Sequence, residues 1–111
     1  MNEVNDMFNF FKKRNIKRIN GKEARELIKN EKKLVIIDVR TAMEVASGKI
    51  PGSKHMDIYS PDFQKKIEKL NKEDNYLIYC ASGSRSYSAT KLMDKIGFKN
   101  IYELKGGFSS Y

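Results

Sequence analysis

The stretch Tyr76-Leu77-Ile78-Tyr79-Cys80-Ala81-Ser82-Gly83-Ser84-Arg85 decides the fold. Its first four residues are bulky and apolar without a break, the pattern of a parallel strand covered on both faces. The residues after Cys80 are small and polar, and a helical pattern follows them. Ala89, Leu92, Met93 and Ile96 recur at i, i+3, i+4 and i+7, which predicts a helix over 86–96 ended by Gly97. A strand that passes through a small-residue turn into a helix aims backbone N–H groups and the positive end of the helix dipole at one point. Cys80, the only cysteine of the chain, stands at that point. A thiol held there tends to lose its proton, and the thiolate is the reactive form.

The rest of the chain repeats the alternation of strand and helix. Ile16 to Ile19 alternates apolar and basic, as an edge strand does, and a helix is predicted over 21–30 with Ala24, Leu27 and Ile28 on one face. Leu34-Val35-Ile36-Ile37 reads as a second buried strand. Thr41-Ala42-Met43-Glu44 is a capping-box signature, so a short helix is expected there. The turn Ile50-Pro51-Gly52-Ser53 leads to a short strand around His55-Met56. Ser60-Pro61 is expected to open another helix, serine as cap and proline at its first position, with Phe63, Ile67 and Leu70 as the apolar stripe. Asn100 to Leu104 is a last strand, and Gly106-Gly107 turns the chain toward Tyr111. These intervals predict an α/β domain, doubly wound, with a mainly parallel sheet. Such sheets bind ligands beyond the carboxyl ends of their strands, where Cys80 lies.

Size and composition narrow the function classes. A chain of 111 residues fits one domain that buries roughly two thirds of its unfolded surface. A hydrophobic content of 40% with six Phe and six Tyr argues for a packed core. No apolar run approaches the roughly 18 residues of a transmembrane helix. The N-terminus carries Glu3 and Asp6 and has no apolar h-region, so neither a signal peptide nor a membrane partner is expected. A single cysteine excludes an internal disulfide and points to a reducing, cytoplasmic setting. The formal net charge is +8. Residues 1–33 carry ten Lys/Arg against five Asp/Glu, and the remainder twelve against nine, without an uninterrupted basic block. That spread reads as a solvated surface that steers small anions to the site rather than as a nucleic-acid footprint. Residues 1–15 read as a peripheral lead-in whose Phe8, Phe10 and Phe11 are expected to pack on the domain rather than form an amphipathic contact with a partner or membrane.

A lone cysteine is often only a small buried hydrophobe. Here the small polar residues after it form no apolar pocket, Gly83 lets the loop curl with its N–H groups inward, and Arg85 adds a cation at the far edge of the curl. These features point to a catalytic or ligand-binding role for Cys80, with Ala81, Ser82, Gly83 and Ser84 as the cradle around it and Arg85 as its fixed cation. Asp38 and Arg40 follow a buried strand at the same edge of the sheet and read as an ionic scaffold, Arg40 with Glu44. His55, the only histidine, reads as a core or hydrogen-bonded residue rather than a base. No cofactor is expected: no Cys/His cluster has metal-ligand spacing, and neither a helix start nor Gly-x-Gly-x-x-Gly follows the glycine pair.

The chain resembles the single-domain rhodaneses (thiosulfate sulfurtransferases). The resemblance covers residues 16–111 and rests on Ile37-Asp38-Val39-Arg40, Gly48-Lys49-Ile50-Pro51-Gly52-Ser53, Cys80 through Arg85, and Gly97-Phe98-Lys99-Asn100-Ile101 before Leu104-Lys105-Gly106-Gly107, in that order. It implies a five-stranded sheet with helices on both faces. It also implies ping-pong transfer of sulfane sulfur through a Cys80 persulfide, from a small anionic donor or a sulfur-relay protein to a thiol or cyanide. The loop N–H groups and Arg85 would stabilise the anion, and Ser84 could add a hydroxyl. Four residues separate Cys80 from Arg85; the loop of cysteine phosphatases is one residue longer and encloses a tetrahedral phosphate. A phosphatase or arsenate reductase is therefore the weaker alternative, and a non-catalytic rhodanese-like binding module the stronger one. The chain departs from the family pattern at Ala81, where many members carry Arg or Lys, at Lys49 in place of a common His, and at Tyr111 in the place of a usual Trp. Without a second cysteine, any persulfide must be discharged by an outside acceptor.

Overall fold

The structure, a computed structural model, describes residues 15–111. Apart from Asn15, the lead-in expected over 1–15, with its phenylalanines, lies outside the described residues. Among these the chain runs β1 (Ile16–Ile19), α1 (Gly21–Asn30), β2 (Val35–Asp38), α2 (Ala42–Ala46), β3 (Lys54–His55), α3 (Phe63–Glu68), β4 (Asn75–Tyr79), α4 (Ser84–Lys95) and β5 (Asn100–Leu104), closing on a 3-10 turn at Phe108–Ser110. The five strands form one sheet in the order β1-β5-β4-β2-β3, and every neighbouring pair is parallel. This is the expected doubly wound α/β fold.

A parallel sheet must be covered on both faces, and the period of two along β4 serves both. Tyr76, Ile78 and Cys80 face one layer with Phe63 and Ile67 of α3 and Ala89 and Met93 of α4. Leu77 and Tyr79 face the other, with Ala24 of α1, Ile50 and Phe108. β4 sits at the centre of the sheet, between β5 and β2, so its carboxyl end opens into the crevice between the two halves. β1 is an edge strand, as expected, but its two isoleucines, three positions apart, point to opposite faces rather than alternating on one. Its Ile16 packs on the first layer and Ile19 on the second, while Lys17 and Arg18 are exposed.

Local chemistry explains the element boundaries. Thr41 and Glu44 form the expected capping box at α2. Asn20 and Glu23 form another at α1, with Asn20 Oδ1 accepting from the Glu23 N–H at 2.8 Å and Glu23 Oε1 accepting from the Asn20 N–H at 2.9 Å. α3 does not begin at Ser60-Pro61. The Ser60 hydroxyl bonds the Asp62 carboxylate instead of a helix N–H, Phe63 N–H donates to Ser60 O at 3.0 Å, and the dipeptide forms a turn that delays the helix to Phe63. α4 starts earlier than the apolar stripe indicates, because Gly83 at φ +116° caps it and Ser84 already lies in its first turn.

Candidate active site

Three segments meet at the carboxyl end of the sheet: the loop after β4, the start of α2, and the turn over residues 48–53. Asp38 ends β2 fully buried and accepts from Arg40 four times, at its backbone N–H (2.9 Å), Nε (3.0 and 3.1 Å) and Nη2 (2.7 Å). Arg40 Nη2 also donates to Gly48 O at 2.7 Å, and its guanidinium lies 4.6 Å above the Phe108 ring. The hydrogen bonds to Asp38 hold Arg40 still more firmly protonated than usual. The expected Arg40–Glu44 pair is not formed, because Asp38, two residues back on the strand, captures the guanidinium first. The Tyr79 hydroxyl accepts from Ile50 N–H at 3.0 Å and donates to Ser53 Oγ at 3.2 Å, fixing the turn from the sheet side. His55, exposed rather than in the core, donates through Nε2 to Arg40 O at 2.7 Å. Asp38, Arg40 and Tyr79 therefore form a frame beneath the site.

Glu44 pairs instead with Arg85. Arg85 Nη1 and Nη2 reach the two oxygens of Glu44 at 2.7 and 2.9 Å, a bidentate clasp from α4 to α2. That clasp holds the Glu44 carboxyl down to about 2 and raises Arg85 above its ordinary value. The Tyr59 ring, 70% exposed, lies 6.0 Å from the guanidinium and forms the outer rim.

Cys80 is fully buried at the floor of its loop. Gly83 N–H donates to Sγ at 3.1 Å and Ser86 N–H at 3.3 Å. The hydroxyl beside the sulfur belongs to Ser86, at 3.4 Å from Sγ, whereas Ser84 is exposed. Burial pushes the thiol up. The hydrogen bond with the Ser86 side chain and those from the N–H groups of Ser86, Gly83 and Ser82 outweigh it and leave Cys80 below the ordinary thiol range. Ala81 and Gly83 are half-buried, and Ser82 is exposed.

The loop is braced from outside by the glycine pair. Phe108 N–H donates to Cys80 O at 2.8 Å and Ser109 N–H to Ala81 O at 3.0 Å. Gly107, at φ +66°, passes so close that a Cβ there would stand 2.4 Å from Ala81 O and 2.6 Å from Ser82 N. A glycine pair that reads in the sequence as a terminal turn is thus a wall of the cysteine loop.

Two further residues escaped the sequence reading. Ser86 follows Arg85, and Glu103 lies seventeen positions beyond it on β5, buried and bonded to Ser86 Oγ at 2.7 Å. The available signal was the period of two along β5, which puts Glu103 on the inward face shared with Ile101.

A family model described as the rhodanese-like domain matches residues 20–111. The chain belongs to the rhodanese family. This rhodanese is 38% identical over 96 residues to the putative sulfurtransferase YtwF of Bacillus subtilis, covering 86% of this chain and 90% of that one. It is also 38% identical over 93 residues to the thiosulfate sulfurtransferase GlpE of Pseudomonas putida, covering 83% and 81%. Among solved structures, a rhodanese-like domain protein from Staphylococcus aureus superposes with a TM-score of 0.75 at 29% identity, over 85% of this chain and 89% of that one. Among the described residues no helix is long and apolar enough to cross a membrane, and no group of His, Cys, Asp and Glu side chains is placed to hold a metal ion.

Proposed function

We propose that this rhodanese is a cytoplasmic sulfurtransferase that carries sulfane sulfur as a persulfide on Cys80. The observation that carries the reading is the convergence of backbone N–H groups on one sulfur atom, with Gly83 at 3.1 Å and Ser86 at 3.3 Å. Donors fixed around a buried sulfur stabilise it as an anion, and they need no rearrangement as the charge moves outward to a terminal persulfide sulfur. In the first half-reaction the Cys80 thiolate attacks the outer sulfur of thiosulfate. The new S–S bond forms as the S–S bond of the donor breaks, and the electron pair leaves with sulfite. In the second, cyanide or a thiolate attacks the terminal sulfur of the persulfide, and Cys80 departs as the thiolate. Ala81 adds no cation beside the sulfur, so polysulfide or a protein persulfide suits the loop at least as well as dianionic thiosulfate.

Arg85 is proposed to supply the cation that faces the donor. Its clasp with Glu44 sets its position and offsets part of its charge. The Arg85→Ala variant is expected to form persulfide about tenfold more slowly, which corresponds to the loss of one charge-assisted contact; an unchanged rate removes Arg85 from the mechanism. The proposal as a whole is tested by incubating the protein with thiosulfate and, separately, with polysulfide, and weighing the intact chain. A gain of one sulfur that is absent in Cys80→Ser supports it. If no donor adds sulfur, the non-catalytic binding module is the better reading, and full burial of Cys80 is the feature that favours it.

A further inference from the structure

Behind Cys80 lies a buried carboxylate that the sulfur chemistry above does not use. The Ser86 hydroxyl carries one proton and stands within reach of three partners: Cys80 Sγ at 3.4 Å, Gly83 O at 3.1 Å and Glu103 Oε2 at 2.7 Å. The contact to the carboxylate is the shortest, and a charged acceptor binds a hydroxyl proton more strongly than a carbonyl or a thiol does. The other oxygen of Glu103 is held by Arg18 Nε of β1 at 3.1 Å. Arg18 is half-exposed, and its guanidinium packs 4.2 Å above the Tyr87 ring of α4. A row of polar groups thus runs from the surface at the edge strand to the cysteine.

We propose that Glu103 is a positioning residue that sets the proton affinity of Cys80 through the Ser86 hydroxyl. While Glu103 is a carboxylate it draws the Ser86 proton to itself. The Ser86 oxygen then meets the sulfur as an acceptor, which suits the thiol and withholds a donor from the thiolate. When Glu103 is neutral, or replaced by a group that donates, the Ser86 proton turns to the sulfur and the thiolate gains a further hydrogen bond beside those from the loop N–H groups. Among the described residues, these are the other charged groups near this row. Arg85 of α4 faces Cys80 and is countered by Glu44 of α2, Lys91 of α4 lies 5.0 Å from the Tyr87 ring, and β4 presents apolar Ile78 beside Glu103. The charge at the β1–β5 edge is thereby read at the cysteine.

The inference rests on Cys80 being the reactive sulfur, but its test reads the thiolate directly and needs no sulfur transfer. The pH dependence of Cys80 alkylation by iodoacetamide is followed by mass spectrometry in the full chain. Glu103→Gln is expected to move the midpoint down by about half to one pH unit, the size of exchanging one hydrogen bond between competing acceptors. Arg18→Met, a change at the surface, frees the carboxylate to hold the serine proton harder and is expected to move the midpoint up. In a Ser86→Ala background both shifts should fall below half their size, because the hydroxyl that couples the sites is gone. Unmoved midpoints, shifts of the opposite sign, or shifts as large without Ser86 as with it overturn the inference. Circular dichroism checks folding; if Glu103→Gln does not fold, Arg18→Met with and without Ser86 decides alone. Failure of persulfide formation with these shifts intact would overturn the sulfurtransferase reading and leave this one standing.

Discussion

Asp38 and Arg40 are buried together, with side-chain exposures of 0% and 6%, and their pairing decides what the neighbouring residues do. Because Asp38 engages the Arg40 guanidinium, Glu44 is left to clasp Arg85. Replacing the carboxylate with an amide would leave a buried cation without its counter-charge, against Gly48 O and the rings of Phe108 and Tyr79. Asp38→Asn should therefore cost about 3 kcal/mol, and urea unfolding would show it as a lower midpoint at unchanged slope. A variant as stable as the natural chain would mean that Arg40 finds other partners. At this scale the sequence was legible wherever the partners are close along the chain. Thr41 and Glu44 announce their capping box, and Asn20 and Glu23 carried the same signal unread. The Asp38–Arg40 pair was misassigned because two acids lie at comparable distances along the sequence from Arg40, and only the strand geometry separates them. Ser86 with Glu103 was invisible to local reading, since its two halves come from α4 and β5.

At the scale of elements, the cysteine loop is held between a left-handed glycine and a neighbouring turn. Gly83 supplies the positive φ that turns its N–H toward sulfur, and Gly107 supplies the close passage that lets Phe108 and Ser109 donate into the loop. Gly107→Ala must push Ala81 and Ser82 away and also strains its own backbone. It should cost about 2 kcal/mol, lowering the melting temperature by roughly 10 °C, and reduce persulfide formation. Gly52→Ala is the matched control, since it has positive φ but nothing within 4 Å of the added methyl. It should lose stability and keep the loop. Equal effects of the two on persulfide formation would show that Gly107 does not shape the site. The loop itself was legible as a strand, a small-residue turn and a helix in succession. Its outer wall was not, because a glycine pair near the last strand says nothing of which backbone it will touch.

Across the whole molecule, one all-parallel sheet places β4 centrally and aims its carboxyl end into the crevice, so the single cysteine is buried there. The fold was legible because the apolar runs at 34–37 and 76–79 have no alternation and cannot be half-solvated strands. The surplus of positive charge, +8 over the chain, belongs to this scale as well. It should draw anionic donors in, so the second-order rate with thiosulfate is expected to fall several-fold between low salt and about 0.5 M, in stopped-flow or discontinuous assays. An uncharged organic trisulfide should show little change. Equal salt dependence for the two would exclude steering by the protein's field.

The central claim is that sulfur resides on Cys80 between two half-reactions, and intact-mass spectrometry over a full cycle tests it most directly. The account predicts that a donor adds one sulfur atom to the chain, that cyanide then removes it with release of an equal amount of thiocyanate, and that Cys80→Ser does neither. A chain that gains no sulfur from thiosulfate or polysulfide, or one that still gains it after Cys80→Ser, would contradict the account.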